Sequence, residues 1–509
     1  MKRFWAILVA AMLIVSTLPV LASAEGDTAD KPTISMAIMD RGTVPADKGD
    51  YENNWATQWI QENAPVNVNF VAVPRWETYT TYNLWLASGT SADIIMEFQP
   101  EYVQEWSGEG MLTELAALID ENAPTYRANT PAEVQAWGQY NGGEYAMVDA
   151  RAESGVVNHM VYIRKDWLDA LGLEMPQSMD ELMEVIRAFT EDDPDGNGED
   201  DTWGWSLALQ GQTIIQNMLG VNGASWTQQD GEFISGYCSD AMLQAFKYIE
   251  QIYDNGWCDK EYLSDTNGTN AYSQFSTGKL GIIACGAGYL SSTIWETLMA
   301  NDPDAVVAPM PSPTEYGYYQ ERECSLLNCI PSTCADPAAA VSYMEWMYTE
   351  GWQKVMYGDE GVDFEYRGDV IYRLGDDDDY AEKFNYTQEY GILSPYKVTI
   401  DMFRETYEAY DDSNILKQAY LIQADAMDET KDIPFHRETP TADLGLSVYN
   451  ELMPDMNTLA AEYFAKAVNE ADYTSEQAQQ QIIDEFDGMG YQEVKTAFNE
   501  EAKNQGLLG

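Results

Sequence analysis

Residues 159–204 read HMVYIRKDWLDALGLEMPQSMDELMEVIRAFTEDDPDGNGEDDTWG, and the order of elements they encode decides the fold. Residues 160–163 are a short apolar run, which predicts a buried strand. Asp166 can cap a helix over 167–171 that stops at Gly172. Pro176 restarts the chain, and Ser178 or Asp180 can cap a second helix. Its apolar positions Leu182, Val185, Ile186 and Phe189 fall at helical spacing. The acidic loop 193–201 follows. Counted from Asp193, it carries oxygen side chains at positions 1, 3 and 5 (Asp193, Asp195, Asn197), Gly198 at 6 and Asp201 at 9, with Glu199 offering its backbone carbonyl at 7. That is the first half of a calcium loop, in which a hard cation collects oxygens around a glycine turn. Position 12 is Gly204, so the closing bidentate glutamate is missing, and 203–209 reads as a strand rather than a second helix. The spacing predicts a lone structural Ca2+ clip; a solvated acidic turn is the alternative.

This succession of strand, R-K-D-W-L-x-x-L-G-L, P-x-S-M-D-E-L helix and D-P-D-G-N-G-x-x-D-T-W-G loop resembles the extracellular solute-binding proteins of ABC importers. The resemblance is to their large carbohydrate-binding subgroup (family 1, oligosaccharide type). Further matching stretches are LASGTSADII at 86–95, FSTGKLGI at 275–282, YGDEGVD at 357–363 and FDGMGYQEV at 486–494. They follow the family's order across nearly the whole chain. The resemblance implies an α/β, two-lobed, periplasmic-binding-protein-like (type II) fold. Its mostly parallel sheets would be flanked by helices, with the ligand in a cleft between the lobes. It implies a monomer that closes on an oligosaccharide by hinge motion and hands it unaltered to the transmembrane subunits of a permease.

Residues 1–24 read as a signal peptide: Lys2 and Arg3, an apolar core over 4–21, and a small-residue cleavage site over 22–24. Export is therefore expected, with the chain extracellular, at the cell surface or periplasmic. No lipid-anchor cysteine follows the signal, since the first cysteine is Cys238. With 85 Asp+Glu against 27 Lys+Arg and a formal charge of −58, the chain repels nucleic acid and anionic membranes. The same acidity weighs against an anionic ligand unless a local basic pocket exists. The six cysteines (238, 258, 285, 324, 329 and 334) form no C-x-x-C, so zinc and thioredoxin chemistry are unsupported. A bridge among the last four and buried free thiols both remain open.

Strand, helix, strand, helix, strand over 33–39, 55–60, 66–73, 76–87 and 92–96 predicts an α/β lobe. Ligands in such sheets sit beyond the carboxyl ends of the strands, which places 40–54, 74–76 and 97–99 at the cleft. Residues 304–309 read as a strand returning to this first lobe. The division expected is 25–152 plus 305–365 for the N-terminal lobe, and 153–304 plus 366–509 for the C-terminal lobe.

No G-x-S-x-G, H-E-x-x-H, Walker or dinucleotide motif occurs, and His159 and His436 are the only histidines. No catalytic residue is assigned and the chain is not expected to be an enzyme. A secreted glycoside hydrolase using paired carboxylates is the alternative. With 15 Trp, 33 Tyr and 14 Phe, the chain offers the aromatic faces that cover sugar rings, while polar groups bond the hydroxyls. The ligand-binding candidates from the expected cleft loops are Trp55, Trp76, Glu97, Arg164, Trp226, Tyr289, Trp295 and Glu360.

Overall fold

Strand Thr33–Asp40 pairs in parallel with Asn67–Pro74 over its whole length, from Thr33 opposite Asn67 to Asp40 opposite Pro74. The structure is a computed structural model that describes residues 31–509 apart from 141, 158, 209, 224, 266, 267, 319, 320, 376, 433–446, 471, 505 and 509. The signal segment and His436 lie outside the described residues. Between the two strands runs helix Trp55–Asn63. Its first turn is closed by a capping box in which Asn54 Oδ1 accepts from the Ala56 N–H and Thr57 Oγ1 accepts from the Asn54 N–H. A bridge from Met36 to Ile94 joins this pair to three strands ordered Ile95–Glu97, Cys324–Cys329, Ala146–Ala150. These three pair antiparallel. Apolar cores cover this first lobe's sheet, one around Met36, Ile38 and Phe70, the other around Tyr82, Val103 and Trp106.

The second lobe holds four strands in the order Val307–Pro309, His159–Arg164, Leu280–Gly286, Trp203–Trp205. Only Trp203–Trp205 runs parallel to its neighbour. Helix Met179–Glu191 starts where Ser178 Oγ accepts from the Glu181 N–H, and it buries Leu182, Val185, Ile186 and Phe189. It lies so close to the sheet that a Cβ on Gly204 would stand 2.1 Å from the Ile186 carbonyl oxygen, and one on Gly281 would stand 2.1 Å from the Phe189 ring. Glycine alone allows that approach. Helices Lys417–Thr430, Ser447–Asn469, Ser475–Gly488 and Tyr491–Asn504 add to the same core.

Several expectations change. The strand expected to return to the first lobe, Val307–Pro309, instead pairs antiparallel with His159–Arg164, because Val307 and the neighbouring Ala305 bury into the second core. Core membership switches between residues 148 and 157, between 318 and 324, and between 393 and 400. Residues 305–318 therefore pack with the second lobe, and Ile371, Tyr386, Tyr390 and Leu393 pack with the first, contrary to boundaries at 305 and 366. The helix expected at 167–171 begins at Lys165, and Asp166 sits in its first turn binding Arg164 rather than capping it. The helix expected from Trp76 starts at Thr78, after a single 3-10 turn at Arg75–Glu77, which leaves Trp76 outside the helix. All six cysteines are free thiols. Among the described residues no helix is long and apolar enough to cross a membrane.

Candidate functional site

The three segments that pass between the lobes lie side by side. The Arg151 N–H donates to the Glu323 carbonyl at 2.6 Å, the Glu321 N–H to the Val156 carbonyl at 2.9 Å, and the Ser154 N–H to the Val398 carbonyl at 3.3 Å. Glu153 fastens the third segment through the Ile400 N–H. Beside them a groove of about 470 Å³ opens between the two cores. Ala287 and Gly288, just past strand Leu280–Gly286, form its second-lobe wall; Tyr357, Tyr372 and Tyr396 form its first-lobe wall. Helix Ile400–Glu408 and the turn after it add Phe403, Tyr407 and Tyr410. Tyr289 follows directly, 42% exposed and stacked on Tyr272 with centroids 4.8 Å apart.

The carboxyl ends of the first-lobe strands build a second polar-aromatic face. Asn67–Pro74 ends in Arg75 and Trp76, and Ile95–Glu97 ends in Phe98. Trp76 is 91% exposed, the most exposed large apolar side chain of the described residues. The Arg75 guanidinium lies over both its ring (5.2 Å) and that of Phe98 (4.6 Å). Arg41 approaches Phe98 at 5.9 Å and pairs with Glu389 at 2.5 Å. Arg322 donates to the Phe98 carbonyl and to Gln99 Oε1. Arg41, Met96, Phe98, Asp149 and Glu389 line a hollow of about 210 Å³ here. Glu97 is 2% exposed; its Oε1 accepts the Phe98 and Gln99 N–H groups, which fixes the turn. Burial pushes its carboxyl above the usual range, against the pull of those N–H groups and of Arg75. Burial likewise raises Asp149 against Lys397, and Glu389 against Arg41.

Of the candidates, Trp76 and Glu97 come together on this face, and Tyr289 stands beside the interlobe groove. The others do not join them. Trp226 is 5% exposed and stacked on Phe498 with centroids 4.0 Å apart, so it is core. Trp295 is 1% exposed and also core. Arg164 is buried over Trp167 and neutralised by Asp166 and Asp302, an internal ion cluster. Trp55 packs edge-on against Phe384, with its Nε1–H reaching the Lys383 carbonyl. Glu360 is exposed in a turn that touches neither hollow. Residues not selected from sequence are Arg75, Phe98 and the tyrosine set. The loops carrying Arg75 and Phe98 were expected at the cleft, and Phe403, Tyr407 and Tyr410 recur at helical spacing, the only signal available for them.

In the acidic loop, Asp193 takes a left-handed backbone (φ 50°) and its carboxylate accepts the Gly198 N–H. The Asn197 amide donates to Asp195 and Asp201, and Lys279 pairs with Asp201 at 3.2 Å. Burial raises the Asp195 carboxyl, helped by the neighbouring Asp193 and Asp201. Among the described residues no three His, Cys, Asp or Glu side chains converge tightly enough to hold a metal.

Sequence comparison matches residues 43–354 to the bacterial extracellular solute-binding protein family. The polygalacturonan/rhamnogalacturonan-binding protein YtcQ of Bacillus subtilis is 28% identical over 273 residues, 51% of each chain. The fructooligosaccharide ABC transporter substrate-binding protein FusA of Streptococcus pneumoniae is 25% identical over 49% of this chain and 52% of its own. The chain thus spans about half the length of the curated relatives it matches. Among solved structures, the HMO-binding ABC-transporter-associated solute-binding protein of Bifidobacterium longum infantis superposes with a TM-score of 0.70 at 17% identity, over 92% of this chain and 98% of that one. Two-lobed solute-binding architecture and family model agree, and this chain belongs to the bacterial extracellular solute-binding protein family.

Proposed function

We propose that the protein is the exported capture component of an ABC importer, that it grips a carbohydrate between its lobes, and that it passes the sugar intact to a permease. One observation carries this reading. An indole left 91% exposed, propped by Arg75, stands at the carboxyl ends of first-lobe strands, while the second lobe offers the open Tyr289–Tyr272 stack beside the interlobe groove. An exposed indole offers a flat apolar face, and sugars carry the complementary C–H faces. A ligand touching both lobes favours the closed state by its extra contacts there, and three crossing segments lying side by side are the natural hinge.

A glycoside hydrolase would need two carboxyl groups free to work as acid and as base or nucleophile. Glu97 is held by backbone N–H groups, Asp149 by Lys397 and Glu389 by Arg41, which argues against that alternative. The test is a thermal-shift screen over a saccharide panel, followed by recovery of the best ligand. Stabilisation by a sugar that is returned unchanged supports capture. New reducing ends, or no response to any sugar, would refute it.

We further infer that loop 193–201 takes up Ca2+. Asp193, Asp195 and Asp201 supply carboxylates and Glu199 a carbonyl, the oxygen donors a hard cation uses. Burial first, and then the nearness of Asp193 and Asp201, holds the Asp195 carboxyl above its usual range, and a bound cation would reverse that shift. A bound ion would tie the end of helix Met179–Glu191 to the strand that follows and stabilise the second lobe by mass action. FusA of Streptococcus pneumoniae has been solved as an EF-hand mutant, in keeping with such a loop in a relative. A melting midpoint unmoved by chelator, with no calcium by elemental analysis, would remove the clip.

A further inference from the structure

We propose that Arg75, held between Trp76 and Phe98, is a subsite for a ligand carboxylate, so that the captured saccharide carries uronic acid residues. This rests on the carbohydrate reading above and narrows it to an acidic class.

The chain has 85 acidic side chains to 27 basic ones, so a cation that finds no acid is against the odds. Arg41 has Glu389 at 2.5 Å, and Arg322 has Glu101 at 3.8 Å. Among the described residues, the Arg75 guanidinium has neither an ion pair nor a hydrogen bond, and its Nε is buried without a partner. Glu97 and Glu389 feel its charge but stay outside contact distance. Rings on Trp76 and Phe98 cover the guanidinium and hold it in place, and they leave its N–H edge, a rigid fork matched to a carboxylate, unspent. The acids that would accept hydroxyls of a neutral sugar here, Glu97, Glu389 and Asp149, are already engaged. Hydroxyls of a neutral ligand would accept from the guanidinium but leave its charge unpaired; a uronate would supply both the acceptors and the opposite charge, with its ring on the Trp76 indole.

The formal charge of −58 does not overrule this. Screening confines distant charges to about 8 Å at physiological ionic strength, so contact at Arg75 sets affinity while the overall field slows encounter.

The experiment is calorimetry with trisaccharides of galacturonate, glucuronate, mannuronate and guluronate, their methyl esters, and neutral hexose trisaccharides. At least one free acid is expected to bind tenfold or more tighter than its own ester. A charge-assisted hydrogen bond is worth enough that Arg75→Gln should weaken that acid about 10- to 100-fold. Arg187→Gln, on helix Met179–Glu191 of the other lobe, should leave uronate affinity unchanged. Equal affinity for acid and ester, binding of neutral sugars alone, or an Arg75→Gln protein with wild-type melting and undiminished uronate affinity would overturn the carboxylate subsite and leave sugar capture standing. Binding of no saccharide at all would overturn both.

Discussion

Trp76→Ala and Trp226→Ala should part company, and the size of the difference follows from where each indole sits. Trp226 is 5% exposed and stacked on Phe498 at 4.0 Å and on Tyr491 at 6.1 Å. Truncating an aromatic so enclosed costs about 3–5 kcal/mol. Against a typical total of about 5–15 kcal/mol, that loss is plain in any unfolding curve. Trp76 is 91% exposed. Fully burying such a side chain is worth about 3 kcal/mol, so the tenth that is covered contributes roughly 0.3 kcal/mol. Its exposed contact with Arg75 adds about 0.5–1 kcal/mol. Trp76→Ala should therefore shift stability by about 1 kcal/mol or less. As a central aromatic contact for the ligand it should cost at least about 2 kcal/mol of binding, roughly 30-fold. Urea denaturation followed by circular dichroism reads the first quantity, and calorimetry with the best saccharide reads the second. The reasoning fails if Trp76→Ala destabilises as much as Trp226→Ala, or if it binds the saccharide within threefold of wild type.

Arg164→Ala removes the cation from a cluster in which Asp166 and Asp302 stand at 2.5 and 2.6 Å, and it strips cover from Trp167. It should cost about 3 kcal/mol in urea titrations with saccharide affinity unchanged. Glu97 is raised by burial, so the folded state holds its proton more tightly than the unfolded chain does. Its contribution to stability is present below the ordinary value near 4.5 and is lost as pH rises through the higher folded value. Glu97→Gln keeps an acceptor for the Phe98 and Gln99 N–H groups, and its stability should fall less than wild type across that window. A parallel pH profile for the two proteins would contradict the assignment. Burial pushes the thiols of Cys258, Cys285 and Cys324 up to about 12. A thiol reagent at neutral pH should spare them in the native protein and label all six cysteines after denaturation, with no mass change on reduction. Finally, Asp195→Asn should abolish any chelator-sensitive stabilisation; if it leaves that response intact, the ion sits elsewhere.

The elements easiest to read were those whose period and punctuation agree. In Met179–Glu191, the Ser178 cap and the buried Leu182, Val185, Ile186 and Phe189 stand where periodicity puts them. Binding candidates fared differently. Trp76 has the better position, after a strand end, and Trp295 falls at helical spacing, yet sequence alone admits both Trp226 and Trp295 as candidates beside it, because a single tryptophan carries no mark of which face it presents. Trp226 is buried because Tyr491 and Phe498, the latter 272 residues later in the chain, arrive to cover it. Arg164 looked like a cleft cation until Asp302 reached it from a distant helix end. Arg75 was passed over for the converse reason: that it lacks a partner is visible only once the charges around it have been placed.

Local sequence by itself determined the strand-and-helix succession, the acidic loop and the family, since caps, glycine turns and apolar spacing act over a few residues. Tertiary structure alone decided which lobe Val307–Pro309 joins, where the chain crosses, and which aromatic and charged side chains are left open. Those outcomes depend on pairings between residues far apart in the chain, and burial is a property of the partners a side chain meets.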